Sequence, residues 1–316
     1  MKKLLGIVVL GLLWCNVVIA GETKKFYSQI DINDDSGKLF RIINFSLIKD
    51  DFFVDITKYA MSRMKKISTN TIAIIYPVGR LISPNNPKGN RTSYRGATYE
   101  VVLNKEEIKK IKSDIKKFLR TSCSDSKSRV VREIGDWLKM GGSSEVQNPV
   151  CGKYRIVMIS INDHRRFNKR DLQRIFFHEA YHAFQKDLTN SCRGPNDLWV
   201  IEAATEYFAQ HSLVNYNEYP EDYVSNILKI AFIEHKRGGP KLKDPGVAEK
   251  GLGAIRLMVE RGWLDEEKIL DGSFFHKCDR VKKFKNIDPN IKFLKDNWFR
   301  IVEQDGKYKY PNSVLN

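Results

Sequence analysis

Past its first twenty residues the chain has no apolar run approaching the roughly 18 residues that a membrane-spanning helix needs, so a protein built from membrane helices is excluded. Acid is short as well. Asp and Glu number 38 against 54 Lys and Arg, a formal charge of +16 at pH 7, and summed charge of that sign steers association toward acidic partners. The basic clusters, KKIKSDIKK at 109–117, HKRGGPKLK at 235–243 and KKFK at 282–285, lack the regular aromatic interleaving of a base-stacking platform, so specific nucleic-acid recognition is not expected. They read as a solvated lysine-rich surface, open to an anionic envelope component or an acidic partner. Internal repeats and long linkers are missing too. Hydrophobic content of 42% is ordinary for a globular protein.

What is present begins with MKKLLGIVVLGLLWCNVVIA, two lysines and a short apolar run ending in small residues. This reads as a secretory signal peptide cleaved near Ala20, which predicts an exported, periplasmic or extracellular protein. The bulky Trp14 before Cys15 fits a lipoprotein signal poorly. Removing the leader takes away Lys2 and Lys3 and no acid, so the remainder stays strongly basic. Four cysteines remain, Cys123, Cys151, Cys192 and Cys278. An even count in an exported chain predicts two disulfides, and the loop-like surroundings favour Cys123–Cys151 with Cys192–Cys278.

Residues 22–103 favour strands at 39–48, 71–79 and 98–104, rich in β-branched and aromatic residues, with turn chemistry at 83–93. Asn104 with Glu107 forms a capping-box signature for a helix reaching about residue 120. A second amphipathic helix is expected at 128–140 and a half-buried strand at 154–161. Helices are then expected at 169–187, 197–213, 221–236, 247–261, 265–271 and 288–303. The fold class is α+β: a strand-rich N-terminal region, 21–125, of unknown role, then a region at 126–316 with a mostly helical C-terminal half.

The chemistry concentrates in FFHEAYHAFQ, 176–185. Four residues apart on a helix, His178 and His182 point at one ion, while Glu179 sits about 100° round, able to reach a water on that ion without binding it. Two imidazoles and an open position suit Zn²⁺, one per chain, which lowers the pKa of its water toward about 7. Glu179 would then be the catalytic base. A third ligand is needed, and LWVIEAATEYF, 198–208, supplies Glu202, with Glu206 one turn on to hold a ligand histidine's tautomer from behind.

These paired motifs resemble the gluzincin metallopeptidases, thermolysin-like and peptidase-MA-like proteins, over about residues 150–265. His178-Glu179-x-x-His182 matches their zinc motif, and Leu198-Trp199-x-x-Glu202 is similar to the segment in which their aminopeptidase branch carries the third ligand. The resemblance implies a zincin-like catalytic region acting on a peptide or protein substrate. It has two gaps. AEKGLGAIRLMVERG, 248–262, is similar to the family's Y-E-K-G helix, but Ala248 stands where the tyrosine stabilises the tetrahedral intermediate, a loss typically worth about a hundredfold in rate. Tyr207, His211, Tyr223, His235 and Arg256 are the candidate substitutes. The G-x-M-E-N segment that reads a free amino terminus is missing, which favours an endopeptidase, and the strand at 154–161 stands where the family pairs an edge strand with substrate. The alternative is a metal-binding envelope protein on a peptidase scaffold with little or no turnover.

Overall fold

A computed structural model describes residues 28–35, 37–64, 70–83, 98–119, 127–140, 144–145, 154–162, 168–188, 198–219, 222–242, 246–276 and 289–316. The expected leader with its Ala20 cleavage site, and Cys123, Cys151, Cys192 and Cys278 with their expected pairings, lie outside the described residues.

The fold is α+β, a sheet followed by a mostly helical C-terminal part. Strands β1 (Ser28–Asn33), β2 (Leu39–Asn44), β3 (Asn70–Ser83), β4 (Thr98–Val101), β5 (Ser144–Glu145) and β6 (Tyr154–Asn162) form it in the order β1-β2-β3-β6-β5, with β4 on β3. β2, β3 and β6 are parallel, and β1, β4 and β5 pair antiparallel to their neighbours. Parallel neighbours need crossovers. Helix α1 (Asp50–Arg63) joins β2 to β3, while α2 (Lys105–Leu119) and α3 (Lys127–Met140) lie between β3 and β6 in the chain. The sheet therefore runs on across residue 125.

Helix α1 corrects the strand-rich expectation for 22–103. Its buried Phe53, Ile56, Thr57, Ala60 and Met61 fall at helical spacing, with Asp50 and Asp51 in the first turn and Arg63 in the last. The capping box of α2 is present: the Asn104 N–H donates to Glu107 Oε2 at 2.7 Å and the Glu107 N–H to Asn104 Oδ1 at 2.9 Å. Strand β6 is buried on both faces, not half buried, because helices cover both sides of the parallel centre. Ile156 and Met158 join Ile111, Ile115, Ile134 and Leu138 of α2 and α3. Val157, Ile159 and Ile161 face the larger core with α1 and the C-terminal helices. Nor is β6 the edge strand that pairing with substrate requires, since β5 lies outside it and pairs with it at Val157 and Met158.

After β6 come α4 (Lys169–Leu188), α5 (Leu198–Tyr216), α6 (Tyr223–Gly238), α7 (Val247–Glu260), α8 (Glu266–Leu270), a 3-10 turn (Ser273–His276) and α9 (Pro289–Asn297). The helix expected to reach 303 stops at Asn297. A hairpin of β7 (Val302–Gln304) and β8 (Lys307–Lys309) follows, turning on Asp305 and Gly306 at φ 52° and 73°, the left-handed pair that Asp-Gly favours, before α10 (Asn312–Leu315). None of the described helices is long and apolar enough to cross a membrane.

Helix α5 is covered nearly all round, by α4 on one side and α7 on another. The α5–α7 contact depends on Gly251. A Cβ there would lie 2.3 Å from Ala203 Cβ and 3.1 Å from the Trp199 carbonyl oxygen, so only glycine permits this approach.

Candidate metal centre

Arg174, His178 and His182 recur every four residues on α4 and form one stripe along it. Glu202, Thr205 and Glu206 form the matching stripe on α5. Where the helices pack, Glu202 Oε2 stands 3.6 Å from His178 Nε2 and 3.4 Å from His182 Nε2. The three ligating atoms all lie within 4.8 Å of one another, a group able to hold a metal ion. Two imidazoles and a carboxylate are the donor types a small divalent ion takes, and the two histidine–glutamate separations are close to the roughly 3.3–3.4 Å between ligands of one tetrahedral ion.

Both imidazoles are held from behind at Nδ1. His178 Nδ1 lies 2.9 Å from Glu206 Oε2, a carboxylate that can only accept, so this nitrogen carries hydrogen and Nε2 faces Glu202. His182 Nδ1 lies 3.2 Å from Thr205 Oγ1 and 3.3 Å from Gln185 Oε1. The Thr205 hydroxyl donates at 2.8 Å to the Ile201 carbonyl and the Gln185 amide donates at 3.3 Å to the same oxygen. Both groups therefore spend their donors on Ile201 and offer acceptors to His182. The geometry fixes the tautomer that leaves Nε2 available as a ligand in each ring.

Glu206 is itself anchored. Arg174 Nη1 donates to its two oxygens at 3.0 and 2.9 Å, and Gln210 Nε2 donates to Oε1 at 2.8 Å. Burial pushes the Glu206 carboxyl up, but the charge of Arg174 and the hydrogen bond from His178 hold it well below the usual carboxylate range. Burial likewise works against an ionised Glu202, and His182 and His178 overcome it. Burial disfavours a charged His178, yet its hydrogen bonds to Glu202 and Glu206 raise it to about 10. A proton and a metal ion compete for the same Nε2 atom.

Glu179 is buried, and its Oε2 has no hydrogen-bond partner among the described residues. Desolvation raises its pKa, with the two histidines opposing. A buried carboxylate oxygen left without a partner is costly, and here it follows directly on a candidate ligand, where it can accept a proton from a water.

The five candidate stabilisers go elsewhere. Tyr207 lies about 140° round α5 from Glu202, on the side away from α4. Its hydroxyl donates to Glu266 Oε1 in a short hydrogen bond, Tyr223 donates to Glu266 Oε2 at 2.9 Å, and Arg256 Nη1 reaches Tyr207 Oη at 3.3 Å and Glu266 at 3.2 Å. The His211 ring packs edge-on against Tyr223 at 4.9 Å. His235 stacks on Phe299 at 5.0 Å, three turns along α6 from Tyr223. Ala248 sits half-buried in the first turn of α7.

Sequence reasoning did not name Arg174, Gln185, Thr205 or Gln210. Their signal is positional: each lies three or four residues from His178, His182, Glu202 or Glu206 and so shares a face with it. Comparison with protein-family models, curated proteins and solved structures returns no match for this chain.

Proposed function

We propose that the chain is an exported zinc-dependent metallopeptidase of gluzincin type, cleaving peptide or protein substrates and more suited to endopeptidase than aminopeptidase chemistry. The observation that carries this reading is the convergence of His178 Nε2, His182 Nε2 and Glu202 Oε2 beside a carboxylate, Glu179, with an unpartnered oxygen. Two imidazoles and a carboxylate suit zinc among the common divalent ions. Bound there, zinc would supply an acidified water and polarise the substrate carbonyl.

The chain's own groups supply the rest. Glu179 accepts the proton as the water oxygen bonds to the carbonyl carbon, then delivers it to the amide nitrogen as the C–N bond breaks, leaving a carboxylic acid and an amine. Glu206, Thr205 and Gln185 keep the two rings in the ligating tautomer through both steps. Arg174 and Gln210 keep Glu206 ionised and in place.

Metal analysis of the purified chain, dialysed without chelator, tests the reading. About one zinc per wild-type chain is expected, falling sharply in Glu202→Ala and His178→Ala, with peptide hydrolysis that a chelator abolishes. No zinc in any of them would make 176–185 a packed helix and end the proposal. A second reading, a metal-binding envelope protein without turnover, is favoured by Ala248 and by the engagement of Tyr207, Tyr223 and Arg256 around Glu266. Glu179 counts against it, because holding a metal requires no base.

A further inference from the structure

Arg174 is the odd member of the site. One donor would suffice to fix Glu206, and a guanidinium brings five. Only Nη1 is engaged, by both oxygens of Glu206 at 3.0 and 2.9 Å, and no hydrogen bond ties Nε or Nη2 to another described residue. The carboxylate it holds is almost wholly enclosed, at 2% exposure, whereas the Arg174 side chain is 33% exposed. The Arg174 side chain therefore spans from the interior toward solvent. Its Nη1 is spent on Glu206, and Nε and Nη2 keep their hydrogens for a ligand. It also lies on the same stripe of α4 as both histidines, one turn before His178, about 6 Å along the axis. Asp171 and Glu249 are the other acids whose charge reaches it.

We propose that the outer edge of Arg174 receives a carboxylate of the substrate. This rests on the metallopeptidase reading. A peptide advances about 3.3–3.6 Å per residue, so a carbonyl at the metal places the anion about two residues away, toward the N-terminal end of α4. Two sources present that chemistry: the terminal carboxylate of a short peptide tail, or an acidic side chain within a longer substrate. The fork geometry of arginine suits either, because the remaining N–H groups pair with both oxygens of a carboxylate.

The test uses probes that anchor to the metal, so that weak peptide affinity does not hide the effect. Three dipeptide hydroxamates are compared on the zinc-loaded full chain by calorimetry: one with a free terminal carboxylate, one amidated at that terminus, and one amidated but carrying a glutamate side chain. A gain of roughly tenfold or more for one carboxylate probe over the plain amide is expected. The gain should vanish in Arg174→Gln and persist in part in Arg174→Lys, with zinc content measured on each. Whichever carboxylate shows the gain identifies the source. Equal binding of all three by the wild-type chain overturns the inference and leaves the metal reading intact. A gain that survives Arg174→Gln with zinc retained overturns it as well, since another group then recognises the carboxylate. Absence of zinc and of hydroxamate binding sinks both readings together. The wild-type comparison requires no variant, so misfolding of Arg174→Gln does not remove the test.

Discussion

Glu206 and Tyr207 are neighbours in sequence, yet they belong to two polar groups with opposite logic. Around Tyr207, Tyr223 and Arg256, donors and acceptors close on Glu266 and on one another. Around Glu206 the bonds run outward from a support: Arg174 and Gln210 hold the carboxylate, the carboxylate holds His178, and His178 presents Nε2 to a space shared with His182 and Glu202. The first group is self-satisfied and the second is aimed. Polar residues in a core do not by themselves mark a site. Ligand atoms converging on one point beside a buried carboxylate oxygen without a partner among the described residues, Glu179 Oε2, distinguish the second group.

That contrast can be broken most sharply at Glu179. Glu179→Gln should retain zinc and lower turnover by about a thousandfold, within the range for loss of a general base. Loss of zinc instead would place Glu179 in the support and remove its aimed role. Glu206→Gln should weaken zinc binding by roughly 10–100-fold, the usual cost of removing a carboxylate behind a ligand histidine, while the fold persists. An unchanged affinity by competition with a chromophoric chelator would detach Glu206 from the site. On the other face, Tyr207→Phe should cost about 1–2 kcal/mol of stability, read as a lower thermal midpoint, and leave zinc content and hydrolysis unchanged. A selective loss of turnover in that variant would move Tyr207 back among the catalytic candidates.

The last comparison is electrostatic. In the metal-free chain His178 is raised from 6.5 to about 10, so its ion pairs contribute stability in full below about pH 6.5 and lose it as pH rises through about 10. His178→Asn should flatten the difference between denaturation midpoints at pH 6 and pH 10. An unaltered difference would mean that other groups set it.

The α+β class, the capping box at Asn104 and the helices carrying His178 and Glu202 were legible because each is written in local spacing. Helix α1 was not, because Phe52, Phe53, Val54, Ile56 and Thr57 also suit a strand, and the crossover that decides for helix depends on the β2–β3 pairing. The Asp-Gly turn at 305–306 was legible and passed over. Arg174, Thr205 and Gln185 acquire meaning only once α4 and α5 are paired. Tyr207 and His211 were chosen for residue type alone, and their angular position on α5 already set them away from Glu202.

Gly251 has a reach beyond its own helix. A methyl group there would meet Ala203 Cβ at 2.3 Å, about 1 Å inside ordinary contact. Ala203 follows Glu202 directly, so relief of that overlap shifts the candidate ligand with it, and metal sites tolerate only about 0.2 Å. The gap between imidazole and carboxylate is thus gauged from the back of α5. Like the throw of a lock set by the thickness of a shim, the bore of the candidate metal centre is calibrated by a side chain that is not there.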